Sequence, residues 1–412
     1  MQTCWPKLLV AVLFSSAFIA CSAEPSPPSD VPSNDAGPER EDVGAFDKEP
    51  HDGPPGDGAP LDVHVETPDG CAVPDAGCDG GVGLPGLMER RFTVALGSNG
   101  ISAPVDFTVP SGARSITVVV EGDTRFLYAL ASLRTADGME QVGLDPAASY
   151  GRQMAESYNV EQVGQMPGNL YQSIRLGTFT QVYPYRPGQR LPAGSMQLRV
   201  ASDATAGEVT VRVFIAPEDD GRVLHLNVLA VSDTVCFGVP PSFLTQMQTI
   251  FDQARIRLAV DEVGTLPRSG LNRLTTLTEP QEGPDSEAAR IARLARSRLC
   301  SSALNVFVVD SMPSGVSGLS LGTPGPVDPG SYYWGVAVRR SATDAGYARV
   351  AAHEVAHFLG LQHVQNIGVS RRVYPDPLDD TTPGSMNLME TGTRLTADQA
   401  YTLSRSALLR TR

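Results

Sequence analysis

Three of the chain's six histidines fall within eleven positions, in the stretch HEVAHFLGLQH from His353 to His363, with Glu354 directly after the first. Imidazole nitrogens are common zinc ligands, and a carboxylate beside such a site can accept a proton. Spacing decides whether these side chains can cooperate. On a helix that turns about 100° per residue, His353 and His357 lie about 40° apart and about 6 Å along the axis, so both rings can reach one ion. Glu354 then points to the side of that ion, a good place for a base acting on water. If the helix continued, His363 would sit about 9 Å beyond His357 and on another face. Gly360 supplies the remedy, because glycine tolerates the left-handed geometry that ends a helix and turns the chain back. With that turn, three histidines close on one ion and leave a fourth position open, which a catalytic zinc requires.

The elements around this stretch have to hold it. Residues 344 to 359 are expected to be helical, with Asp344 as cap and Ala348, Arg349, Ala351 and Ala352 as good helix formers. Upstream, VLHLNVLAV (Val223–Val231) is an apolar run suited to a strand buried on both faces. Pro240-Pro241-Ser242 is expected to cap a helix carrying Phe243, Leu244, Met247, Ile250, Phe251 and Ala254 on one face. A second helix starts near Ser286 and leads to Cys300 and the strand ALNVFVV (Ala303–Val309). This order of strands and helices implies a mixed α/β sheet over residues 222–412. His225, within the first strand, is expected to be a packing residue.

Residues 88–218 have another texture. SITVVVE (Ser115–Glu121), SMQLRV (Ser195–Val200) and EVTVRVF (Glu208–Phe214) alternate apolar and polar side chains between turn-forming clusters. An all-β sandwich is expected there, with no residue constellation that suggests chemistry. Ahead of it, residues 22–87 hold twelve prolines, eleven glycines and fifteen acidic residues against Arg40 and Lys48. Such a segment cannot bury enough surface to offset its ordering entropy, so residues 21–87 are expected to form a disordered acidic tether. That tether accounts for nearly all of the net charge of −14. The rest is close to neutral, and no basic stripe suggests nucleic acid.

Residues 1–20 look like a signal peptide: Lys7 precedes an apolar run, Leu8 to Ala20, too short to span a bilayer. Phe18-Ile19-Ala20-Cys21 resembles the lipobox of bacterial lipoproteins, which implies lipidation of Cys21 and anchoring at the cell envelope. Export permits disulfides. Proximity suggests Cys71 with Cys78 and Cys236 with Cys300, a connectivity that sequence alone does not fix.

The pattern His353-Glu354-x-x-His357-x-x-Gly360-x-x-His363 resembles the extended zinc motif of the metzincin metallopeptidases. The resemblance implies a methionine turn beneath the metal, and SMNLMET (Ser385–Thr391) supplies one, with Met389 rather than Met386 as its methionine. DPLDDTTPG (Asp376–Gly384) looks like the corresponding region of pappalysin-like members, and Gly315–Pro326 like their substrate-side edge strand. Two positions depart from the pattern. Several metzincins place a tyrosine two residues after the turn methionine, where this chain has Thr391, and no cysteine follows Cys300. Asp376, Asp379 and Asp380 are either a solvated loop or a set of oxygen ligands of the kind calcium takes.

The expected protein is thus an exported, lipid-anchored, monomeric zinc endopeptidase. Zn2+ would be held by His353, His357 and His363, Glu354 would be the base, and the substrate would be a protein or peptide. The alternative is a surface adhesion or binding lipoprotein whose metzincin-like part holds zinc without turnover.

Overall fold

The apolar runs of the first half pair into two antiparallel sheets. In this computed structural model the described residues are 83–143, 172–175, 177–204, 206–218, 222–231, 240–266, 271, 273, 286–313, 315–340, 344–367, 373–376, 378–384 and 386–410. The strands are β1 (Met88–Leu96), β2 (Val105–Val109), β3 (Ala113–Glu121), β4 (Tyr128–Arg134), β5 (Glu140–Gly143), β6 (Gln172–Arg175), β7 (Thr178–Tyr183), β8 (Gly194–Ser202) and β9 (Gly207–Pro217). One sheet runs β1-β9-β3-β7-β6 and the other β2-β8-β4-β5. Side chains from both meet in one core, where Val105, Phe107 and Val109 join Ile116, Val118, Val120, Leu198 and Val211.

Strand β3 differs from the expected alternation. Every residue from Arg114 to Val120 is buried, the polar Ser115 and Thr117 included. The cause is tertiary. One face of β3 lines the core just described, while Val119 joins Tyr185, Phe214 and Ala216 in the core of the second half. A strand covered on both faces has no solvent side to keep polar. Leu84 also joins that second core, so the last part of the expected tether is packed rather than loose.

The second half is built from β10 (Val223–Val231), α1 (Pro241–Asp252), β11 (Arg257–Leu266), α2 (Glu287–Arg298), β12 (Leu304–Val309), β13 (Gly318–Ser320), β14 (Val336–Arg339), α3 (Asp344–Phe358), β15 (Gln365–Ile367), β16 (Val373–Pro375) and α4 (Ala397–Ser404). The main sheet runs β11-β10-β12-β14-β13, parallel except for the outermost β13. Helices α1 and α3 pack together on one face against Leu226, Val228, Val306 and Val336. Helix α2 covers the other face through Ile291, Ala292 and Ala295 against Leu229 and Phe307. The sheet is therefore buried on both sides, as parallel sheets are.

Several local expectations change. Helix α1 is entered through Pro241 as its first residue with no side-chain cap, since a proline there lacks only an N–H that would be unsatisfied anyway. Asp344 is the first residue of α3 rather than its cap. Strand β11 was not legible in its sequence, RLAVDEVGTL, because an edge strand needs only part of its surface buried. His225 on β10 pairs through Nδ1 with Asp261 Oδ1 on the neighbouring β11 at 2.7 Å. Residues 1–82 and Cys236 lie outside the described residues, and with them the signal, Cys21, Cys71 and Cys78. Cys300 is disulfide-bonded. No other cysteine is described, so its pairing with Cys236 stays a proposal.

The halves interlock by hydrogen bonds as well as by packing. Arg114 Nη2 donates to the carbonyls of Ser406 and Leu409, and Ser115 Oγ donates to that of Arg405. The chain end is tied back too, with Val223 and Arg410 exchanging backbone hydrogen bonds.

Candidate metal centre and active site

Helix α3 ends where its histidines need it to. Gly360 adopts a φ of +121°. Its N–H donates to His357 O, and the N–H of Leu361 donates to Ala356 O, both at 2.9 Å. These two bonds form a Schellman turn, which satisfies the last carbonyls of the helix and reverses the chain. The buried Leu361 supplies the apolar contact that accompanies such turns. Beyond the turn His363 swings back over the last turns of the helix.

The result is a convergence of three nitrogens. His363 Nε2 lies 3.1 Å from His353 Nε2 and 3.2 Å from His357 Nε2. His353 Nδ1 lies 2.6 Å from Leu388 O, and His357 Nδ1 lies 2.7 Å from Leu361 O. A carbonyl only accepts, so both Nδ1 atoms carry the proton and both Nε2 atoms present lone pairs. His363 Nε2 can donate at most one proton between them, so the three-way approach lacks the donors to satisfy itself. A cation at the centre supplies what is missing. Three ligands about 2.0–2.1 Å from a tetrahedral zinc stand about 3.3 Å apart, close to the spacing seen here. Among the described residues, this trio is the only group of three or more His, Cys, Asp or Glu side chains close enough to share an ion. The residues present therefore fit zinc.

Burial prepares the ligands. Desolvation, with the neighbouring imidazoles adding to it, holds His353 and His363 well below the usual histidine range, and desolvation pushes His357 down to about 4. All three rings are thus neutral at pH 7, the form that binds metal.

Glu354 is also buried, at 3% exposure, on the turn that carries His353. Its side chain runs close against Gly318 of the outermost strand. A Cβ built on Gly318 would stand 2.5 Å from Glu354 Oε1 and 2.6 Å from its Cγ. Glycine at 318 thus leaves the space that the carboxylate occupies. Gly318→Ala is expected to keep the zinc and displace the carboxylate, lowering kcat/KM by about 10²-fold, the cost of a misplacement of about 1 Å. Zinc content measured beside peptide turnover checks this, and an unimpaired Gly318→Ala enzyme overturns it.

The methionine turn lies where it can orient His353. Leu388 supplies the carbonyl for Nδ1, and Met389 is fully buried while Met386 is 64% exposed. Asn387 holds this turn from both sides. Its Oδ1 accepts from Met389 N at 2.8 Å, and its amide makes a reciprocal pair with the Gln399 amide at 2.8 and 2.9 Å. Gln399 is in turn fixed by the capping box of Thr396 at the start of α4. The sequence reading missed Asn387 and Gln399 as supports. The Thr396-x-x-Gln399 spacing is that of a capping box, but nothing in it points to the distant His353.

The acidic loop behaves differently from a metal cage. Asp376 accepts from the Thr381 hydroxyl and from Leu378 N, and desolvation pushes its pKa up to about 7. Asp380 and Asp398 accept backbone N–H groups across the loop. The carboxylates of Asp376, Asp379 and Asp380 do not gather as a shared ligand set, so the calcium alternative finds no support.

No family model matches the sequence, and no curated protein matches it either. Among solved structures the chain is similar to archaemetzincin from Methanopyrus kandleri, at 11% identity over 44% of this chain and 88% of that one, with a TM-score of 0.25. It is also similar to metalloproteinase-II from Bacteroides fragilis, at 13% identity, 45% and 53% coverage and a TM-score of 0.27. The match spans about half the length of that second chain. Likenesses this distant carry no argument about activity, which rests on the site itself.

Proposed function

We propose that the chain is a zinc-dependent endopeptidase of the metzincin kind, with its sequence pattern nearest the pappalysin-like members. The observation that carries this reading is the convergence of three neutral Nε2 atoms, two of them fixed through Nδ1, with Glu354 buried beside them. His353, His357 and His363 hold the ion. When bound, zinc supplies a Lewis acid that acidifies water and polarises a carbonyl. Glu354 accepts the proton of the attacking water on its carboxylate and passes it to the leaving amine. Strand β13 is the outermost, antiparallel strand beside Glu354, a position where an extended peptide can add as a further strand. The full chain is expected to purify with about one zinc and to cleave quenched peptides. Zinc-free protein after growth in zinc overturns the reading, and full zinc without cleavage of any peptide favours the binding-only alternative.

Export and anchoring belong to the same proposal. They rest on Lys7, the apolar run after it and Phe18–Cys21. No helix among the described residues is long and apolar enough to cross a membrane. Cys21→Ala is expected to move the protein from the membrane fraction to the soluble one. Wild-type protein that partitions to the aqueous phase of a detergent split overturns the lipid anchor.

A further inference from the structure

The turn that delivers His363 is braced from the other half of the molecule. Tyr185 follows β7 in the first half and is completely buried. Its hydroxyl donates to Gly360 O at 2.9 Å, across 175 residues of sequence. Gly360 is the pivot between His357 and His363, and its N–H is already used within the Schellman turn. The hydroxyl therefore fixes the remaining polar atom of the pivot.

Tyr185 is itself held rigidly. Its N–H donates to Gln189 Oε1 at 2.7 Å, and its carbonyl accepts from Thr402 Oγ1 of α4 at 2.9 Å. Ideal Cβ placement at Gly360 finds Tyr185, Thr402 and Pro324 each 3.9 Å away, so the pivot sits in ordinary contact with all three. Tyr185 belongs to the same core as α3, Leu361 and Met389. A turn held only by its own two hydrogen bonds could swing His363 by more than the tolerance of a metal site. A buried donor packed into the same core removes that freedom.

We infer that Tyr185 is a positioning residue for the third histidine, and that the first half is thereby an integral part of the metal centre rather than an appendage. The inference rests on the zinc reading above. Supports of this kind are worth about 10–100-fold in metal affinity when they bond a ligand directly. Tyr185 acts one step further out, through the pivot carbonyl.

The test removes one oxygen atom at a time from the full-length protein. In Tyr185→Phe the ring remains and Gly360 O loses its donor. Tyr183→Phe is the control. Tyr183 is equally buried, on the same segment, and its hydroxyl donates to Arg190 O at 2.8 Å, with no role at the pivot. Both variants lose one hydrogen bond, so both are expected to lose similar thermal stability without metal. Competition with a chelator is expected to show zinc held about tenfold more weakly by Tyr185→Phe, and unchanged in Tyr183→Phe. With Co2+ in place of zinc, the visible bands of Tyr185→Phe should shift and weaken as the tetrahedral field is distorted, while those of Tyr183→Phe match wild type. Equal affinity and equal Co2+ spectra in Tyr185→Phe and wild type overturn this inference alone. Equal losses in both variants overturn it as well, since the effect is then general stability. Wild-type protein that takes up neither ion overturns the zinc reading and this inference together.

Discussion

Glu354→Gln is expected to retain about one zinc per chain and to lose peptidase activity by about 10³-fold or more. The substitution keeps the shape of the side chain and its contact with Gly318, so the three histidines and the turn after Gly360 are undisturbed. It removes the one property the mechanism needs, because an amide oxygen is far too weak a base to take a proton from water. General acid–base terms alone account for roughly 10²–10⁴-fold, and loss of the attacking water's orientation adds to that. Folding should not suffer, since a neutral amide is less costly to bury than a carboxylate at 3% exposure. Elemental zinc analysis and single-turnover cleavage of a quenched peptide, on the same preparation, check both halves. Wild-type cleavage by Glu354→Gln removes the glutamate from the mechanism, whatever the zinc content.

His357→Ala is expected to fail earlier, at the metal. The variant loses one Nε2 from the convergence and also the Nδ1–H bond that satisfies Leu361 O in the turn. Zinc binding of about 10–16 kcal/mol, divided among the three histidine ligands, gives roughly 3–5 kcal/mol each, so affinity should fall by about 10²–10⁴-fold. The orphaned carbonyl at Leu361 is buried, and that adds a stability loss of about 1–3 kcal/mol. Zinc bound to the native state alone raises the melting temperature, so wild-type protein should melt higher with zinc than with chelator. In His357→Ala that difference should vanish at the zinc concentrations that saturate wild type. Glu354→Gln should keep the difference, which separates a ligand from a base by calorimetry alone. A zinc-dependent melting shift of wild-type size in His357→Ala overturns its assignment as a ligand.

What the sequence determined by itself is the part governed by neighbours along the chain. The i, i+4 spacing of His353 and His357 follows from helix geometry, and the position of Glu354 follows with it. Gly360 signalled the reversal because only glycine adopts a φ of +121° without strain. The buried run Val223–Val231 announced a sheet covered on both faces. Tertiary structure decided which distant groups complete these local pieces. The carbonyl that orients His353 comes from Leu388, and the amide pair that steadies it comes from Asn387 and Gln399. The space for Glu354 on helix α3 comes from Gly318 on strand β13, and the brace on Gly360 comes from Tyr185 in the other half. Backbone carbonyls carry no residue signature, and an absent Cβ or a tyrosine hydroxyl has many uses. Their roles arise only when packing of the cores brings them within about 3 Å of a partner. The same holds for β3. The stretch Ser115–Glu121 is expected from its sequence to alternate apolar and polar side chains, and only the docking of the second half buries both of its faces.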